Sequence, residues 1–169
     1  MVKAAENSSN PATNQDANFG APLLSDSLKH HLNALHGLCD ELEAIADSLP
    51  ISLNVQASLA LAQSLLPTIK SAHEFEEHKV YSILGELKPV ERSLSEDLQR
   101  LTFEHWVDED LAEEIVHKLR DYIAEKTPIK AEALSWMLRG FFEGMRRHIA
   151  FDLAIVLPAL LKTENRANG

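Results

Sequence analysis

Residues 73–84 read HEFEEHKVYSIL, with two histidines and three glutamates in the first six positions and an apolar run after them. The flanking residues settle how this stretch is to be read. Leu59, Ala62, Leu66, Ile69, His73, Glu77, Val80, Leu84 and Leu87 recur at alternating spacings of three and four. That period puts them on one face of a helix, the face a bundle buries. The stripe is apolar except where His73 and Glu77 enter it, one helical turn apart.

Three other segments repeat the pattern. The first runs Leu24, Leu28, His31, Leu35, Leu38, Leu42, Ile45, Leu49. A later one runs Leu94, Leu98, Leu101, His105, Glu109, Ala112, Val116, Leu119, Ile123, and the last runs Leu134, Leu138, Phe141, Met145, His148, Asp152, Ile155, Ala159. Pro50, Lys88-Pro89 and Thr127-Pro128 fall between the segments, and Pro128 suits a first helical turn. Connections this short force antiparallel neighbours, so the sequence predicts an all-α, up-down-up-down four-helix bundle. Pro67 and Pro158 lie inside the stripes and predict a kink or a split at each.

The chain has 169 residues, enough for one domain with a real core. Residues 1–20 are polar and without a hydrophobic period, which predicts a flexible tail; residues 21–163 form the bundle and 164–169 a C-terminal tail. A formal net charge of -10 disfavours nucleic-acid binding. Charges interrupt every long apolar segment, so no membrane span is expected. The N-terminus carries no apolar signal segment and Cys39 is the only cysteine, so no internal disulfide can form and a cytoplasmic location is expected. No protein partner is indicated.

Each stripe holds one histidine, and an acid follows four residues later in three of them. Counted from the turns at Pro50, Pro89 and Thr127 with a rise of about 1.5 Å per residue, the four histidines differ in height by about 6 Å or less. They are therefore expected in one layer, facing one axis. Imidazoles and carboxylates in a low-dielectric core are costly unless paired or coordinated. A mixed set of nitrogen and oxygen donors suits iron, manganese or zinc, and so many donors suit two cations better than one.

The plainer reading is that a buried histidine is satisfied by a carboxylate and binds nothing. The same four-residue spacing recurs at His36/Asp40 and His117/Asp121, where polar neighbours favour a solvated pair. Placement on all four stripes at one height separates the inner set from these. Cys39 lies off the first stripe and is expected to be a bystander, while His30 and His78 flank the inner positions.

These residues resemble the hemerythrin-like family of cation-binding (HHE) bundles. The likeness spans Leu23 to Leu161 and rests on HEFEEHKVYSIL at 73–84 and RHIAFDLAIVLPALL at 147–161, with FEHWVDEDL at 103–111 and LKHHLNALHGL at 28–38. The resemblance implies a hemerythrin-like bundle with His31, His73, Glu77, His105, Glu109, His148 and Asp152 as metal ligands. It implies two irons, oxo- or hydroxo-bridged, with Glu77 and Asp152 as bridging carboxylates and Glu74 as a further possible donor. Oxygen-carrying members have a second histidine where this chain has Glu109, and an anion there favours ferric over ferrous iron. The resemblance therefore implies a protein that binds oxygen, nitric oxide or peroxide for sensing, storage or protection rather than a carrier. The alternatives are a di-iron oxidase or peroxidase and a metal-free regulatory bundle. For the oxidase, the expected Glu-x-x-His spacing occurs only at Glu114/His117, off the stripe.

Overall fold

The computed structural model describes residues 23–86, 92–126 and 130–167, and within them the chain is helical with no strand. Helix α1 spans Leu24–Ser48 and α2 spans Val55–Phe75. A π-helical turn, Glu76–Tyr81, carries α2 directly into the short α3, Ser82–Glu86. The long α4 spans Arg92–Ile123. Helix α5, Ala131–Phe151, passes through a second π-helical turn, Asp152–Val156, into α6, Leu157–Ala167. These form four rods: α1, α2 with α3, α4, and α5 with α6.

Helix α1 packs against α2 and α5, and α4 packs against the same two, which closes the rods into a four-helix bundle. Asn54 caps α2 by accepting a hydrogen bond from the Ala57 amide at 3.0 Å. The stripes meet along the axis: Leu28, Leu35, Leu42, Ile69, Leu101, Leu119, Leu138 and Met145 are all buried. At about 25 cal/mol per Å² of apolar surface, this shared seam is the main favourable term for the fold. Across the seam Arg120 donates to the Ala62 carbonyl and Ser135 to the Ala46 carbonyl, tying α4 to α2 and α5 to α1.

Several expectations are amended. Helix α2 runs through Pro67 as one element and does not split. Pro158 falls in the first turn of α6, directly after a π-helical turn, where the wider ladder already lacks the regular i→i−4 bond that proline would break. The second π turn also moves the last stripe: Ile155 is exposed, while Val156 and Leu160 are fully buried. Residues 164–167 continue α6 instead of hanging as a tail, and Glu164 accepts a hydrogen bond from the Ser25 amide at the start of α1. Cys39 lies in the core with its thiol pushed up to about 12, chiefly by burial. The 1–20 tail and the turns at Lys88-Pro89 and Thr127-Pro128 lie outside the described residues. No helix among those described is long and apolar enough to cross a membrane.

Candidate metal centre

The two π-helical turns begin at acidic residues. A π turn admits an extra residue, which widens the helix and re-aims its side chains; such turns are frequent at functional sites. Glu76 opens the first and Asp152 the second, and both carboxylates are fully buried. Opposite them, on α2, α4 and α5, stand His73, His105 and His148, also buried. The rings of His73 and His105 stack with centroids 3.9 Å apart and planes 5° apart, and His148 lies 5.0 Å from His105.

Among the described residues, two groups of three bring their ligand atoms within 4.8 Å of one another: His73, His105 and His148, and Glu76, His148 and Asp152. His148 belongs to both. Glu76 lies between them, with Oε2 at 3.0 Å from His105 Nε2 and 3.3 Å from His148 Nε2. Asp152 Oδ2 sits 3.1 Å from the same His148 nitrogen.

The outer edges of the stacked rings are held by a crossed pair of carboxylates. His73 Nδ1 lies 3.1 Å from Glu109 Oε1, and His105 Nδ1 lies 2.8 Å from Glu77 Oε1. An ionised carboxylate only accepts, so His73 carries its proton on Nδ1 and presents Nε2 to the interior, whereas His105 has a carboxylate oxygen at each nitrogen, Glu77 at Nδ1 and Glu76 at Nε2. Lys70, 3.9 Å from Glu109, adds a cation outside His73.

This arrangement leaves polar atoms without partners. His73 Nε2, His148 Nδ1, Glu76 Oε1 and Asp152 Oδ1 are buried and accept or donate nothing. A single proton on the His105 ring can serve Glu77 or Glu76 but not both, and the other oxygen then meets a lone pair. Two acceptors at that distance repel unless a cation or a proton lies between them. Burial, with His105 alongside, pushes the His73 ring down to about 3, which keeps it neutral and ready to coordinate. Burial also opposes charge on His148, yet the neighbouring carboxylates of Asp152 and Glu76 raise its ring to about 10. A proton on His148 is thus the charge that balances the carboxylates when no metal is bound. Glu76 is held low by His105 and His148 against its burial, and Asp152 is raised, chiefly by burial. The donors, their inward lone pairs and the excess of acceptors all fit a metal cation.

Of the residues the sequence singled out, the structure brings His73, His105, His148 and Asp152 together. Glu77 and Glu109 stand behind the rings, part-exposed. His31 is half-buried and stacks on Phe75 at 4.7 Å, outside both groups. His36 and Asp40 form an exposed pair at 3.3 Å, as expected. His117 is exposed too, but its partner is Glu113 at 3.9 Å rather than Asp121.

Sequence reasoning missed two residues. Glu76 follows His73 by three and precedes Val80 by four, so it fits the stripe as well as Glu77 does. Tyr81 is buried, with its hydroxyl 3.3 Å from Glu76 Oε2 and 3.4 Å from His105 Nε2. It lies five residues after Glu76, the repeat of a π turn, which a three-and-four template cannot register. Beside the centre, a cavity of about 420 Å³ between α4 and α5 is lined by Arg100, Leu101, Glu104, Asp108, Arg147 and His148.

The model of the hemerythrin HHE cation-binding domain matches residues 23–160. The chain belongs to that family, and its buried cluster of histidines and carboxylates is the place where the described residues could hold a cation. No curated protein and no solved structure matches the chain.

Proposed function

We propose that this bundle holds two irons between its π-helical turns and takes up oxygen or a related small molecule there, for sensing, storage or protection against oxidative or nitrosative stress. The observation that carries the reading is the set of inward-facing, partnerless acceptors on His73, Glu76 and Asp152 around His105 and His148. His73, His105 and His148 would hold one ion, Asp152 the other, and Glu76 would reach both. An iron pair supplies a reversible one-electron change at each metal.

The chain's own residues do the rest. Glu77 and Glu109 fix the proton on the far nitrogen of His105 and His73, which orients each ring and makes it a better donor. Four carboxylates in or around the centre favour the oxidised metals, which supports sensing or protection over reversible carriage. Leu35, Leu101, Phe141 and Met145 are buried and exclude water from the axis. The cavity beside His148 gives a small molecule its approach.

The test is optical. Protein loaded with ferrous iron without air, then exposed to oxygen or nitric oxide, is expected to gain near-ultraviolet bands that bleach on reduction. A spectrum that ignores both gases would contradict the reading.

A further inference from the structure

The hydroxyl of Tyr81 points into the centre, where it donates to Glu76 Oε2 at 3.3 Å and lies 3.4 Å from His105 Nε2. Both are atoms that a metal would claim. Once His105 Nε2 gives its lone pair to a cation it cannot accept, and Glu76 Oε2, whose charge a cation draws on, accepts more weakly with the lone pair it keeps. A buried hydroxyl left with one weakened acceptor gains from a new one. The acceptor then closest at hand is whatever group fills a free coordination position beside it.

Resting on the iron-binding reading above, we propose that Tyr81 is the hydrogen-bond donor that selects the exogenous ligand of this site, favouring small anions that keep a lone pair free to accept a hydrogen bond after another has gone to the metal. Azide is the simplest probe of that class. The rest of the phenol supports the assignment. Its ring stacks on His105 at 5.7 Å and 22°, which fixes the hydroxyl on the metal-facing side of that ligand. Tyr81 closes the same π-helical turn that Glu76 opens, so the distortion that buries the carboxylate also delivers the phenol. Substituting phenylalanine removes only the oxygen, and the ring still fills its place in the core.

The experiment compares iron-loaded wild type with Tyr81→Phe. Both are expected to hold the same iron. Azide, followed by its charge-transfer absorption, is expected to bind the variant about five- to tenfold more weakly, the loss of one hydrogen bond. In wild type alone, transfer to heavy water should shift the azide stretching frequency, a readout that needs no variant. Equal azide affinity in both proteins, or a frequency indifferent to heavy water, would overturn the proposal. So would a visible phenolate-to-iron band in azide-free wild type, or loss of iron from the variant alone, since either makes Tyr81 a ligand. Wild type that takes up no iron overturns the parent reading along with it.

Discussion

The carboxylate of Glu109 on α4 holds the Nδ1 of His73 on α2 at 3.1 Å, while Glu77 from the α2 rod holds His105 on α4 at 2.8 Å. Each His-x-x-x-Glu pair therefore serves the histidine of the opposite helix. The stacked rings are clamped from both outer edges, and their Nε2 atoms turn inward. A carboxylate behind a ligating histidine sets its tautomer and raises its basicity; removing one costs about 10- to 100-fold in metal affinity. Glu109→Gln and Glu77→Gln should each show a loss of that order in a chelator competition, with unchanged stoichiometry at saturating metal. Loss of an entire equivalent of metal would instead make the substituted residue a ligand.

Glu76 is expected to behave differently from its neighbour. It is fully buried and touches both His105 and His148, whereas the Glu77 side chain is 31% exposed. Glu76→Gln should lower metal content sharply, and His117→Ala, on the outer surface, should leave it unchanged. Equal metal in Glu76→Gln and wild type would place the centre elsewhere.

The bundle itself was legible in the sequence, because the three-and-four spacing of leucines is a direct consequence of burying one helical face. The layer of histidines was legible from helical rise alone, and three of the four converge. What the sequence hid follows from two local departures from α-helix. At Glu76 and Asp152 the ladder widens into π turns, so Glu76 rather than Glu77 reaches the axis and Val156 replaces Ile155 in the core. Nothing in the residue types at 73–84 marks that change. Helical rise does not specify which way a ring turns, and the His31 ring stacks on Phe75 outside both groups.

The metal-free protein should lose stability as pH rises. His148 is raised from 6.5 to about 10 in the folded state by Asp152 and Glu76, against its burial. Its contribution is therefore complete below 6.5 and disappears as pH climbs through about 10. The difference in melting temperature between apo wild type and apo His148→Gln should shrink across that window. A difference that grows with pH would contradict a charged His148. His73 works in the opposite sense and in another range: its lowered ring favours the fold above 6.5 and penalises it as pH falls toward 3.

Core and centre should separate experimentally. Phe142 is 1% exposed, with the Arg146 guanidinium over its outer face at 4.9 Å. Phe142→Ala should cost about 3–5 kcal/mol in denaturant unfolding. Metal content per folded chain should be unchanged, because Phe142 belongs to neither group of ligands. A metal-deficient but fully stable Phe142→Ala would mean that the ring shapes the centre and not the core.

The central claim is that the paired π turns build a two-metal site, and metal analysis of the purified protein beside Glu76→Gln tests it most directly. Two irons per chain are expected in wild type, and a marked deficit in the variant. Wild type that stays empty after anaerobic incubation with ferrous iron, while remaining folded, would contradict it and leave the buried histidines satisfied by protons alone.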